Sequence, residues 1–354
     1  MIIPVIMAGG AGTRLWPMSN EDKPKQFHNM SGHGTLLEET INRLKPVSPE
    51  EVVIVGAEKY EKLSLDEITK TGLSGTILSE PMPKNTAAAV LYAAVFLQKK
   101  YPESIMIVLP ADHFIRNNQA FTDVLKKGVK LAENGSLVTI GVKPDYPETG
   151  YGYIKGIDGA EGDGIPVDKF VEKPDLETAE KYVASGNYFW NSGIFVWKTS
   201  VIIDRFRELM PAHFEAFKPL IELDHSKISS TSDDIRKLKA QIFSSIESIS
   251  IDYGILENAD NRMVIPAEFG WADLGSWKAA DDILDADAAG NRTQSPDNSI
   301  FVKSENCTVF SEGMRIAVVG ASNIVVVQSG NDILVIDKDS SQDVRAVVDI
   351  VRKK

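Results

Sequence analysis

Three glycines, Gly9, Gly10 and Gly12, follow an apolar run at residues 2–7 and stand ahead of Arg14 and Lys25. Lacking a Cβ, such a turn can offer its N–H groups to a phosphate or let a flat base approach closely. Arg14 and Lys25 add the positive charge that a polyphosphate requires. With Ala8 and Thr13 at its margins, the stretch reads as a site for a nucleoside triphosphate. It is not a Walker loop, which needs Lys-Ser/Thr directly after its last glycine, and it lacks the third glycine of a dinucleotide fingerprint.

Carboxylates after strand-like runs form the second feature. Residues 105–109 lead into Pro110-Ala111-Asp112-His113, and far along the chain Gly270-Trp271-Ala272-Asp273-Leu274-Gly275 sets another aspartate in a glycine-flanked turn. Magnesium commonly takes one or two carboxylates and fills its shell with phosphate oxygens, so Asp112 and Asp273 would suffice if they met. By pattern alone they serve equally as a helix cap and a turn residue. Glu80, with Pro81, precedes Asn85 and Thr86. A carboxylate only accepts hydrogen bonds and so matches the adjacent N1–H and N2 donors of guanine; a solvated loop glutamate is the plainer alternative. Asn85 can cap the helix it opens and still face a nucleotide. In Phe170-Val171-Glu172-Lys173-Pro174 the lysine can reach a phosphate and Glu172 can accept sugar hydroxyls, or the two can form a surface ion pair.

The whole of residues 6–27 is more specific than its glycines. It resembles the signature of the sugar-1-phosphate nucleotidylyltransferases, and Leu15-Trp16-Pro17 with Pro24-Lys25-Gln26-Phe27 is most similar to the mannose-1-phosphate guanylyltransferase branch. Ala11 and Asn20 depart from it, standing where the family often has serine and arginine. The resemblance extends over nearly the full chain, including Ser250-Ile251-Asp252-Tyr253. It implies a catalytic magnesium on Asp112 and Asp273, sugar phosphate on Lys173 with mannose on Glu172, and sugar-lining turns at Gly150-Tyr151-Gly152 and Asn191-Ser192-Gly193. Arg14, Lys25 and Lys173 would be the catalytic cations, and Ala8, Gly9, Gly10, Gly12, Thr13, Glu80, Pro81, Asn85, Thr86 and Asp112 would contact the nucleotide. The implied reaction joins GTP and mannose 1-phosphate into GDP-mannose and pyrophosphate. Another hexose or heptose 1-phosphate, or a silent regulatory subunit that binds sugar nucleotide, stays open at this point. Family precedent also allows a homodimer. The chain ends where bifunctional relatives continue into a phosphomannose isomerase domain, so none is expected.

Composition sets the frame. A formal charge of −12 argues against nucleic acid and requires local basic groups and a divalent cation around any triphosphate. The single cysteine, Cys307, reads as a buried strand residue and fits a reducing compartment. No run approaches the roughly 18 apolar residues of a membrane helix and the start lacks a basic secretory pattern, so a cytoplasmic protein is expected. The histidines show no metal-ligand spacing, and His113 reads as a support for its neighbours.

Positioning these residues requires an α/β fold. Apolar runs at 2–7, 52–55, 76–78, 105–109 and 137–140 alternate with helical patterns at 35–44, 85–98 and 121–132, predicting a Rossmann-like domain with a mixed, mostly parallel sheet. Ligands then belong beyond the carboxyl ends of the strands. Residues 151–197 read as β-rich and 201–261 as mainly helical, with an exposed serine-rich loop at 226–233. Residues 287–298 read as a linker between a catalytic domain, 1–286, and a small domain, 287–354. Short regular strands in the latter suggest a solenoid or a sandwich; the resemblance favours a left-handed β-helix. A last helix across 337–351 would be capped by Asp339 or Ser340.

Overall fold

The computed structural model describes residues 1–10, 12–160, 162–171 and 173–352. Its packing falls into two compact units that do not follow chain order. One comprises residues 1–9, 43–110 and 117–271; the other gathers 10–42, 111–116 and 272–354.

A nine-stranded sheet organises the first unit. In chain order its strands are β1 (Ile2–Ala8), β2 (Val52–Ala57), β3 (Gly75–Glu80) and β4 (Ile105–Pro110). The short strand His113–Ile115, β5, belongs elsewhere. Then come β6 (Leu137–Val142), β7 (Tyr153–Gly156), β8 (Ile165–Val171), β9 (Tyr188–Lys198) and β10 (Arg262–Ala267). The spatial order is β3-β2-β1-β4-β9-β6-β10-β8-β7, with β8 and β9 running against the rest. The expected mixed, mostly parallel sheet is therefore present. Runs such as Val52-Val53-Ile54-Val55 are buried on both faces, as parallel strands covered by helices require. The alanine-rich helix Asn85–Lys100 is buried from Ala87 through Leu97, because helices Thr199–Leu209 and Pro211–Ile221 pack on it opposite the sheet. Register places the last residues of four strands along one edge: Ala8 lies beside Gly56, Ala57 beside Glu80, and Met7 beside Pro110.

The second unit is built on parallel rungs. Trp271–Asp273, β11, pairs with β5. Beyond it come β12 (Arg292–Thr293), β13 (Ser299–Val302), β14 (Thr308–Ser311), β15 (Ile316–Val319), β16 (Ile324–Ser329) and β17 (Asp332–Asp337). Arg292 aligns with Thr308 and Thr308 with Val325, while Ser299 aligns with Ile316, so successive turns of a coil stack in parallel. β17 folds back antiparallel on β16. This is a β-helix-like arrangement rather than a sandwich. Cys307, Val309, Val318 and Val326 fill its interior, with Cys307 just ahead of β14. The outer face of β14 and β16 presents Phe310, Val325 and Val327 to Leu15, Met18, Leu36, Leu274, Trp277, Val344 and Val348. The signature segment and the carboxyl-terminal coil thus share one hydrophobic core.

Three local expectations need correction. Residues 226–233 are not a free loop: His225–Ile228 is a helical turn, Ile228 is buried and accepts from Tyr92 Oη (3.0 Å), and Ser230 O accepts from Lys239 Nζ. The supposed linker at 287–298 is already the first rung, because Asn291 is buried and donates to Ser304 O while accepting from Cys307 N–H. At the end of the chain a 3-10 stretch, Lys338–Asp343, precedes the helix Val344–Val351, and Asp337 rather than Asp339 or Ser340 supplies the capping oxygen. The apolar pattern at 344–351 did not reveal the tighter winding before it.

Candidate active site

The second unit assembles a charged cluster from three distant segments. Gly12 accepts from Leu15 N–H as the chain turns into the 3-10 stretch Thr13–Leu15, which anchors Leu15 in the core. Asn20 then organises the next turn, its Oδ1 accepting from Asp22 and Lys23 N–H (3.0 and 2.9 Å). The residue that departs from the family pattern is therefore a turn former. Pro24 leads into Lys25–Phe27, whose Gln26 and Phe27 are buried, so the Lys25 side chain is the one left to project.

Lys25 Nζ lies 3.0 Å from Asp112 Oδ2 and 3.3 Å from Asp273 Oδ1, and donates to Leu274 O at 3.1 Å. Two mechanisms bring the acids together. Asp112 comes two residues after β4, and Asp273 ends β11, which pairs with β5 immediately beyond Asp112; the turn expected at Asp273 is in fact a strand end. Burial works against the charge on Lys25, yet Asp112 and then Asp273 outweigh it and hold its pKa above the ordinary lysine value. Burial also opposes the charge on Asp273, but Lys25, His113 and Arg14 keep its carboxyl below the usual range. Arg14 is exposed, and its Nη1 is 3.6 Å from where a Cβ on Gly275 would stand. Gly12 needs to be glycine on two counts. Its φ is +56°, and a Cβ would come within 2.7 Å of Ser19 Oγ and 3.0 Å of Lys25 Cγ. Gly10 has φ +94° with open space around it, and Gly9 has neither a positive φ nor a neighbour within 4 Å. Ala11 lies outside the described residues, and for Thr13 only the backbone is described.

The donor set suits magnesium. Among the described residues no three His, Cys, Asp or Glu side chains gather to cage an ion. What exists is a pair of hard carboxylate oxygens already converging on one cation, with the remaining ligands left to phosphate and water, as magnesium prefers.

In the first unit, Glu80 ends β3. Its Oε1 is buried without a hydrogen-bond partner among the described residues, and burial pushes its carboxyl up to about 7. Asn85, at φ +62°, accepts from Thr86 N–H, and Thr86 Oγ1 accepts from Ile251 N–H. Asn85 is thus the first residue of its helix and not its cap: Lys84 stands at the cap position with no side-chain capping bond, and Pro81 follows Glu80 in the preceding bend. Asn191 Nδ2 donates to Asp252 Oδ1 (2.7 Å) while its Oδ1 accepts from Gly193 N–H (3.2 Å). Gly152 O accepts from Asn191 N–H, tying the two glycine turns together. Glu148 fixes Gly150 through its N–H. Beside these turns Tyr151 packs edge-on against Trp190 and Trp271, with Tyr146 against Trp190. Sequence reading passed over this aromatic group; the signal was Trp271, two residues ahead of Asp273. Lys173 is exposed with φ +37°, and Glu172 lies outside the described residues.

Comparison with known proteins agrees with this construction. Residues 3–289 match the nucleotidyl transferase family, and residues 297–350 match the MannoseP isomerase/GMP-like beta-helix domain. A mannose-1-phosphate guanylyltransferase of Salmonella typhimurium, RfbM, is 38% identical over 355 residues, covering 99% of this chain and 72% of that protein. The xanthan biosynthesis protein XanB of Xanthomonas campestris is 37% identical over 353 residues, covering 99% and 73%. A solved structure from Thermus thermophilus, described as a mannose-1-phosphate geranyltransferase, superposes with a TM-score of 0.86 at 32% identity and 99% coverage of both chains. The chain belongs to the nucleotidyl transferase family and groups there with the mannose-1-phosphate guanylyltransferases.

Proposed function

We propose that this enzyme transfers GMP from GTP to α-D-mannose 1-phosphate, giving GDP-mannose and pyrophosphate. A phosphate oxygen of the sugar phosphate attacks the α-phosphorus; the bond to the bridging oxygen of the β-phosphate breaks, and pyrophosphate leaves with that electron pair. The nucleophile is already an anion, so no general base is needed and catalysis reduces to positioning and charge neutralisation. The observation that carries this reading is Lys25, its stem against Gly12 and its ammonium held by Asp112 and Asp273. Lys25 and Arg14 stabilise the departing pyrophosphate, and Lys173 orients the attacking phosphate. Glu80 reads guanine, its unpartnered oxygen supplying the acceptor for N1–H and N2. Gly9, Gly10 and Gly12 admit the triphosphate, and the turns at Gly150–Gly152 and Asn191–Gly193 line the hexose. Asp112 and Asp273 would hold magnesium, whose charge neutralises phosphate oxygens when bound. In chain order we assign catalysis to residues 1–286 and support to 287–354.

A panel of nucleoside triphosphates and sugar 1-phosphates, assayed for pyrophosphate release with and without magnesium, tests the proposal. The expected result is magnesium-dependent release that is fastest with GTP and mannose 1-phosphate. No release from any pairing would refute it.

A further inference from the structure

The segment that carries Lys25 is polar and turn-rich between Asn20 and His28, and what holds it comes from the far end of the chain. His28 is buried and bridges two acceptors. Its Nε2 lies 3.0 Å from Lys23 O, and its Nδ1 lies 2.9 Å from Glu312 Oε1. A carbonyl oxygen can only accept, so Nε2 donates to Lys23 O, while Nδ1 meets the Glu312 carboxylate. The ring therefore joins loop and coil. Lys23 Nζ approaches the same Glu312 oxygen at 3.5 Å. Glu312 is itself fixed, because Ser329 Oγ donates to its Oε2 (2.6 Å) and its backbone N–H donates to Gln328. On the other side, His28 N–H donates to Lys25 O (3.1 Å). An unbroken chain of hydrogen bonds thus runs from β16 through Glu312 and His28 to the backbone of Lys25.

Docking of the coil does not need this contact. Leu15, Trp277, Val344 and Val348 already bury an apolar interface, and Trp277 Nε1 donates to Trp16 O at 2.9 Å. A charged bridge added to a sufficient apolar core fixes direction more than it adds adhesion.

We propose that Glu312 is a positioning residue for the transfer reaction: through His28 and Lys23 it sets where Lys25 stands against Asp112 and Asp273. The proposal rests on the reading that Lys25 acts on the triphosphate. Small misplacements of a catalytic group cost up to about a hundredfold in rate.

The test uses the full chain. In Glu312→Ala, kcat should fall roughly ten- to hundredfold while KM for mannose 1-phosphate stays within about twofold. Its melting temperature should move by no more than about 4 °C. Glu312→Gln keeps an oxygen acceptor and should recover most of the loss. Combined with Lys25→Ala, the Glu312→Ala change should add almost nothing, since it acts through that lysine. A kcat within twofold of wild type in Glu312→Ala, or a full additional loss in the Lys25→Ala background, overturns the proposal. Nitrogen-15 NMR of His28 in the wild-type protein, which needs no variant to fold, should show a proton on Nε2, the nitrogen that faces Lys23 O; a ring whose proton sits on Nδ1 alone overturns it as well. If Lys25→Ala itself turns over normally, the reading of Lys25 has failed; if only Glu312→Ala does, the positioning role alone has failed.

Discussion

Two sets of buried carboxylates in this chain are treated in opposite ways. In the second unit Asp112 and Asp273 share one ammonium, and Asp273 is held in its charged form although it is partly buried. In the first unit Glu80 has a buried oxygen with no partner among the described residues, and its carboxyl is pushed up to about 7. Burying an unpaired ionised group is costly, so a protein keeps one only where something else compensates. The difference separates two tasks. The aspartate pair is a charge assembly, complete in its own right and suited to cations and phosphates. Glu80 presents an acceptor oxygen without a donor among the described residues, the feature on which its proposed role in reading the base rests.

The largest expected effect attacks the charge assembly. Lys25→Ala leaves two acids facing each other without their counter-ion and removes a preorganised cation, so kcat should drop by about a hundredfold or more in steady-state pyrophosphate release. Turnover close to wild type would mean that the aspartate pair and its ammonium are not a catalytic charge assembly. Glu80→Gln attacks the other side. Its amide nitrogen would confront guanine's donors, and the preference for GTP over ATP should fall by on the order of 1 to 3 kcal/mol in competition assays.

The same residue gives a pH signature. Its folded pKa lies above the ordinary value of 4.5, so its contribution to stability is full below about 4.5 and is lost as pH rises through about 7. Glu80→Gln should therefore melt higher than wild type at pH 8 and match it near pH 5. GTP affinity should rise through pH 7 in the wild type and stay flat in the variant. Equal melting curves across that range would show the carboxylate to be solvated.

Gly12→Ala sharpens the comparison by disturbing Lys25 without removing charge. The new methyl would press on Ser19 Oγ and the Lys25 stem at an unfavourable φ, and roughly a tenfold loss of kcat is expected. The smallest effect concerns the support. The hydrogen bond from His28 is the chief influence that holds Glu312 at about 2, against burial and with help from Ser329. A depressed carboxyl contributes stability that is present above about 4.5 and lost as pH falls towards 2, so acid unfolding of Glu312→Gln should be less steep over that interval. Identical acid titrations would mean the bridge adds nothing.

Much of the first unit was legible because its signals are local. The Val52–Val55 run, the alanine-rich stretch after Asn85 and the glycine turn after β1 each declare their own conformation within ten residues or so. Errors arose where a neighbour far along the chain decided the outcome. Asn291 sits in a polar, turn-rich stretch, yet stacking on the following rung turns that stretch into structure. The serine-rich segment near 226–233 looked free, yet Tyr92 and Lys239 pin it.

The sequence by itself determined the chemistry on offer: a glycine turn with two cations, one acid after an apolar run and another in a glycine-flanked turn, and a lone glutamate ahead of an alanine-rich helix. Those are matters of residue type and short spacing, and they are written in consecutive positions. Only the tertiary structure decided that Lys25 meets Asp273, 248 positions away, and that a glutamate in the carboxyl-terminal coil grips the loop carrying that lysine. Strand pairing between β5 and β11 and a shared apolar core bring these groups together. Such contacts depend on through-space complementarity, which no local pattern encodes.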